Sequence, residues 1–491
     1  MIYQNPIISG FYPDPSVCEA EGKYYLVCSS FQYFPGVPIF ESEDLVNWKQ
    51  IGHALTRKSQ VQLENVSSSG GVFAPTIRYH EGVFYMVTTN DTTHQNFYVY
   101  TDDIYGEWSE PVYIDQGGID PSLLFDGGKV YFISNGTDDY GVGGITQCEI
   151  DIKTGKKLTP SKNIWQGSGG RYLESPHMYK INGSYYLMAA EGGTEYGHMI
   201  TYARSDDPWG EFKGYEKNPV LTNRNLGGFE IQGVGHGDLI QAKSGEWFVI
   251  HLGFRQIGQY DTFHHLGREV FMTPIHFGAD GNFTAGSNGT TGRSYEISGD
   301  FVRQEHKLFT FENTDISLDW VYLRHPDLDN YKLSAQGFEL TAGEATLDEP
   351  KSPTFIGIRQ RAFVGELSCE VTTEGGEAGI TVYMDENHHY DIAVRQTDEG
   401  FEAILRLNIG DVKCVQNSVK LRGSTATLGI GMNNYAYTFT VTENGAALHL
   451  GGAQTRYVST EVAGGFTGVL FGLYAQRGGK GRFKKFEIKY Q

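Results

Sequence analysis

The chain has 491 residues, of which 39% are hydrophobic, 13% are aromatic and 63 are glycine, and its formal net charge is -20. That length exceeds one ordinary core and divides most simply into two large units. The acidic balance excludes a nucleic-acid backbone or an anionic membrane surface as the main partner, because phosphate binding needs clustered Lys and Arg, whereas a neutral sugar suits it.

Five cysteines (Cys18, Cys28, Cys148, Cys369 and Cys414) are widely spaced without a CxxC pattern, so neither a disulfide framework nor a thiolate zinc site is indicated. The opening MIYQNPIISGFYPDP has no basic segment followed by an apolar run, and a soluble cytoplasmic protein is expected.

In chain order the first distinctive stretch is PDPSVCEAEGKYYLV, where Asp14 stands between two prolines that fix φ and remove backbone donors. Alone it reads as a turn. It has companions, however: APTIRYHEGVFYMVT from Ala74, DPSLLFDGGKVYFIS from Asp120, ESPHMYKINGSYYLMAA from Glu174 and HGDLIQAKSGEWFVIH from His236. Each runs from a polar or small residue through an apolar run and a Gly turn into an aromatic-rich run. Starts at 14, 74, 120, 174 and 236 leave 46 to 62 residues per unit, enough for four short strands. Five such units predict a five-bladed β-propeller over residues 1–305, an arrangement that closes a sheet radially and protects its edges.

The hairpin register is lost after about residue 300, where FVRQEHKLFTFENTDISLDWVYLRHPD reads as an extended linker. Runs such as GITVYMDENHHYDIAVRQ, FEAILRLNI, YAYTFTVTENG and RFKKFEIKYQ then predict an antiparallel β-sandwich of jelly-roll, concanavalin-like type over 306–491. The fold class is all-β throughout.

First strands of propeller blades line the central channel, so Asp14, Asp120, Glu174 and His236 are predicted to meet in one funnel. Like charges gathered there resist ionisation, an arrangement seldom made for stability alone. Two carboxyl groups flanking a bond are the equipment of glycoside hydrolysis, one protonating the leaving oxygen and the other activating water or attacking carbon. Phe31 and Phe73 are candidate stacking rings for a sugar. Arg268 either clamps a substrate hydroxyl, holds a carboxylate or is a surface charge. The glycines beside His236 suit a metal, a buried water or a carboxylate contact.

SGFYPDPSVC, SSFQYFPGVPIFESEDLVNW, GGVFAPTIRYH, GIDPSLLFD, YLESPHMYK, EGGTEYGHM, GVGHGDLI and HLGREV together resemble the motifs of glycoside hydrolase family 43, its β-xylosidase and α-L-arabinofuranosidase branch. The resemblance implies an inverting, exo-acting hydrolase releasing terminal xylose or arabinose from short oligosaccharides. It implies Asp14 as general base, Glu174 as general acid and Asp120 as the residue that raises the acid's pKa. Phe31, Thr194, His236 and Arg268 match positions lining the sugar pocket, and Phe466 in GGFTG resembles a loop sent from the second domain to close it. Phe73 stands where many relatives carry Trp, which points toward arabinose. No cofactor is required on this reading; some relatives carry calcium near the residue matching His236. An oligosaccharide is the expected partner, with neither nucleic acid nor membrane, and relatives are often homo-oligomers. A non-catalytic sugar-binding propeller and a retaining, fructosidase-type propeller are the alternatives.

Overall fold

Four of the five repeats turn on two residues that both take positive φ: Glu21-Gly22, Glu81-Gly82, Gly127-Gly128 and Asn182-Gly183. This backbone matches the twist of a tight antiparallel hairpin and explains the Gly in those four repeats. The structure, a computed structural model, describes residues 1–299 and 316–491. Within it each repeat is the inner hairpin of a four-stranded blade, and the innermost strands are Ser16–Ala20, Thr76–His80, Ile119–Asp126, Glu174–Ile181 and Ile231–Gln241. Apolar residues from neighbouring blades fill the space between them; Tyr12, Val17 and Leu26 of the first meet Phe248, Ile250 and Met272 of the fifth. The strand Ile2–Gln4 pairs with Ser294–Glu296 and brings the start of the chain to the end of the fifth blade.

Among the described residues the second half forms two facing antiparallel sheets, one of seven strands and one of eight whose last strand is supplied by the propeller. Strand Gly365–Glu374 of the seven-stranded sheet alternates buried and less buried residues, as a sheet with one covered face requires. Glu377–Asp385 of the eight-stranded sheet is buried almost continuously instead. Its outer face lies against the propeller, where Phe11, Phe31 and Tyr33 join Phe355, Tyr383, Leu470 and Tyr474 in one cluster.

The linker reading needs correction at its end. Trp320–Leu323 is a strand of the eight-stranded sheet, and it pairs on one side with Thr354–Arg359 and on the other with Tyr33–Phe34 of the propeller. The physical reason is local: Trp320, Val321 and Leu323 are apolar and buried, so this piece joins a sheet instead of crossing solvent. The expected boundary between residues 305 and 306 lies outside the described residues.

Candidate active site

Strand register breaks where side chains must be re-aimed. Irregular pairing occurs at Ile119/Ser122, Glu174/His177 and Gln232 to Gly237, at the channel ends of three innermost strands. Bulges of this kind redirect individual residues. Asp14 (φ 54), Asp120 (φ 52), Ser175 (φ 56) and His236 (φ 44) all adopt left-handed backbone there. Non-glycine residues hold this conformation at a cost of order 1–3 kcal/mol each, so surrounding contacts must enforce it.

The funnel gathers residues from all parts of the propeller. Asp14 Oδ1 accepts a hydrogen bond from Arg268 Nη1 at 2.7 Å, and its Oδ2 accepts one from Ser29 Oγ. His236 Nδ1 stands 3.6 Å from Asp14 Oδ1 and 3.9 Å from Asp120 Oδ2. Asp120 Oδ2 accepts from the Ser175 backbone N–H at 3.0 Å, beside Glu174. Arg268 also donates from Nη1 to Thr194 Oγ1 at 3.0 Å and from Nη2 to the Phe466 carbonyl at 3.3 Å. Of the options open for Arg268 in the sequence, holding a carboxylate is the one realised.

Three phenylalanines form one wall. Phe31 lies 6.1 Å from Phe466 with rings 24° apart and 5.5 Å from Phe73, while Phe73 and Phe466 meet edge-on at 6.4 Å. The Arg268 guanidinium sits over Phe31 at 5.7 Å and over Phe466 at 5.8 Å. Phe31 is 3% exposed and serves the domain interface as well, whereas Phe466 is 41% exposed and presents a face to solvent. All nine residues singled out in the sequence therefore meet in one funnel: Asp14, Asp120, Glu174, Phe31, Phe73, Thr194, His236, Arg268 and Phe466.

The electrostatics separate the three carboxyl groups. Burial pushes the Asp14 carboxyl up, but the adjoining Arg268 charge and the Ser29 hydroxyl outweigh it and hold the group below its ordinary range. Glu174 is raised to about 7, first by burial and then by the negative charge of Asp14. Asp120 is raised well above the ordinary range by burial, then by Glu174 and Asp14. The Asp14 charge adds to the rise at Glu174, and Asp120 and Glu174 oppose each other's ionisation, so their protonation is linked. Burial lowers His236, leaving its imidazole uncharged near neutrality and Arg268 the standing cation.

Several supporting residues escaped the sequence reading. His198 donates from Nδ1 to the Gly233 carbonyl at 3.2 Å, and its ring fills the space where a Cβ on Gly235 would come within 2.3 Å. One step down the channel Asp238 accepts from Arg78 at 2.7 Å, Ser16 Oγ at 2.6 Å and Tyr179 Oη at 2.5 Å, tying four innermost strands or their ends together. The repeat alignment offered a signal for Asp238, two residues beyond His236. Ser29 had none. Among the described residues no group of three or more His, Cys, Asp or Glu side chains is arranged to hold a metal ion. The surroundings of His236 fit calcium poorly for a second reason, since the Arg268 charge already neutralises Asp14.

Comparison with known proteins agrees with this geometry. Residues 3–283 match the model of glycosyl hydrolases family 43, and residues 309–490 match that of the beta xylosidase C-terminal concanavalin A-like domain. The chain is 38% identical to a non-reducing end alpha-L-arabinofuranosidase of Bacteroides ovatus, across 97% of this chain and 92% of that one. It is 34% identical to a xylosidase/arabinosidase of Butyrivibrio fibrisolvens, across 98% and 97% respectively. The solved structure of Bacteroides ovatus xyloglucan PUL GH43B superposes with a TM-score of 0.95 at 35% identity, covering 100% of both chains.

Proposed function

The chain belongs to glycosyl hydrolase family 43 and is a glycosidase of its exo-acting xylosidase/arabinofuranosidase group, and from that premise we propose that it releases a terminal pentose from short xylo- or arabinoxylo-oligosaccharides with inversion at the anomeric carbon. The observation that carries the reading is the pairing of an ionised Asp14 with a Glu174 carboxyl raised to about 7. An acid must keep its proton near the working pH and a base must have lost its own.

In this mechanism Glu174 gives its proton to the glycosidic oxygen as the bond from that oxygen to the anomeric carbon breaks. Water attacks the same carbon from the opposite face and passes a proton to Asp14, so the sugar leaves as the inverted hemiacetal. Arg268 keeps Asp14 ionised and oriented. Asp120, bonded to the backbone next to Glu174, discourages loss of the Glu174 proton through their mutual repulsion. The Phe31, Phe73 and Phe466 wall offers apolar faces to a pentose ring.

Arabinofuranosides are the favoured substrates on two grounds. Phe73 is smaller than the tryptophan its position suggests, and the Bacteroides ovatus relative is an arabinofuranosidase. Paired assays on 4-nitrophenyl α-L-arabinofuranoside and β-D-xyloside, with proton NMR of the first-formed anomer, test the reading. An inverted anomer and higher kcat/KM on the arabinoside are expected. A retained anomer would reject the water-mediated route, and turnover surviving in Asp14→Asn would reject the base.

A further inference from the structure

Glu461 lies on the short helix Thr460–Ala463 of the second domain, five residues before Phe466. Its carboxylate accepts three hydrogen bonds from the propeller: from the His264 backbone N–H at 3.0 Å, the His264 ring Nδ1 at 2.8 Å and Tyr196 Oη at 2.8 Å. Both donor residues rest on one ring. The His264 imidazole stacks on Phe254 at 3.8 Å and 9°, and Tyr196 meets Phe254 edge-on at 5.0 Å. Phe254 is buried in the strand Trp247–Arg255, so this junction has a rigid floor.

Three separate segments meet at Glu461, and each also delivers one residue to the funnel. Tyr196 is two residues from Thr194, His264 is four from Arg268, and Glu461 is five from Phe466. On the funnel side the same three segments are joined again, since Arg268 bonds both the Thr194 hydroxyl and the Phe466 carbonyl. A backbone bond from Val469 N to the His265 carbonyl at 2.9 Å reinforces the seam, and Phe466 N donates to Ser69 Oγ of the propeller at 2.8 Å. We propose that Glu461 is a positioning residue for the hydrolysis: by tying these segments together it sets where Phe466 and Arg268 stand, and therefore how tightly the terminal sugar is held.

A purely structural clasp between domains would have the same bonds and a different signature. Domain docking has its own supports elsewhere, in the pairing of Trp320–Leu323 with Tyr33–Phe34 and in Arg359 stacked 4.6 Å over Tyr12. Removing Glu461 should leave that docking in place while loosening the wall. The Glu461 carboxylate is held down to about 2, burial being outweighed by the His264 contacts, so it remains a charged acceptor at working pH. Hydrogen bonds to charged groups are each worth enough to alter binding severalfold.

This inference rests on the reading of the funnel as a pentose pocket, and the experiment separates the two. Full-length wild type, Glu461→Ala, Glu461→Gln and Tyr196→Phe are compared for kcat and KM on the 4-nitrophenyl pentosides, for inhibition by free arabinose and xylose, and for Tm. Glu461→Ala is expected to raise KM and the pentose inhibition constant about tenfold with kcat reduced less than about threefold. Glu461→Gln keeps an acceptor oxygen and should recover most of the loss, and Tyr196→Phe should shift both constants in the same direction by less. In a Phe466→Ala background the Glu461→Ala change should add little, because both act on one wall. Unchanged KM and inhibition constants in Glu461→Ala, additive effects with Phe466→Ala, or a fall in Tm with no change in sugar binding would each overturn the role of Glu461. A wild-type chain that neither hydrolyses pentosides nor binds pentose would overturn the pocket reading itself, and the role of Glu461 with it.

Discussion

The two domains each gather three buried or half-buried carboxyl groups around one arginine and a buried histidine, and they use that common inventory in opposite ways. In the sandwich, Arg406 bonds Glu377 at 2.7 and 2.6 Å and Asp391 at 3.1 Å. His389 bonds Asp391 at 2.8 Å through Nδ1 and Asp348 at 3.1 Å through Nε2. In the funnel, Arg268 reaches only Asp14, and the His236 ring stands off its carboxylates at 3.6 and 3.9 Å. The consequence is a reversal of protonation. Burial disfavours a charged His389, but two carboxylates overcome it and raise the imidazole to about 9, whereas burial prevails at His236 and lowers it. Asp391 is likewise driven below its ordinary range, and Asp120 above it. A buried carboxyl with a bonded cation stays charged, as structure in Asp391 and as a proton acceptor in Asp14; one denied a cation keeps a proton and can deliver it.

That contrast can be broken in several places. The largest effect belongs to Glu174→Gln, which removes the delivered proton: kcat on an unactivated oligosaccharide should fall about a thousandfold and the alkaline limb of the pH-rate profile should vanish. Persistence of that limb would show another group to be the acid. Arg406→Met, in the satisfied cluster, should cost about 3–5 kcal/mol of stability by stranding Glu377 and Asp391, read as a lowered calorimetric transition. Loss of activity in the folded variant would contradict the division of labour.

Next in size are two pH windows of stability. His389 has its folded pKa raised, so its contribution is complete below about 6.5 and is lost as pH rises toward about 9, a change of order 3 kcal/mol. Glu174 is a raised carboxyl, so folding is favoured most below about 4.5 and loses that advantage as pH rises through about 7. Denaturant titrations across pH should therefore show stability falling through both windows, and Glu174→Gln should flatten the lower one while leaving the His389 decline in place. The smallest effect expected is a displacement of the pH-rate profile in Arg268→Met. Arg268 lowers both Asp14 and Glu174, so its loss should move the acid and alkaline limbs upward together; a downward move of either would exclude Arg268 as their cation.

The funnel was legible from the chain to an unusual degree because its carboxyl groups lie at one register of a repeat. Asp14, Asp120 and Glu174 each precede an apolar run and a Gly turn, and that local pattern needs no knowledge of distant contacts. Trp320–Leu323 was misread because the edge it joins is Tyr33–Phe34, far away in sequence, and a short apolar run without a partner looks like a linker. The sandwich cluster went unread for a similar reason: Glu377, Asp391 and Arg406 sit on separate strands at no common spacing, so only the assembled sheet brings them within bonding distance.

The sequence alone determined the five hairpins, the all-β class and the common register at which Asp14, Asp120 and Glu174 stand, since alternation, turn geometry and repeat spacing are properties of neighbouring residues. Tertiary structure decided which carboxyl is charged and which holds a proton. That outcome depends on burial and on where Arg268 comes to rest, 254 positions from Asp14, and on a tie through Glu461 that only the docked second domain can make.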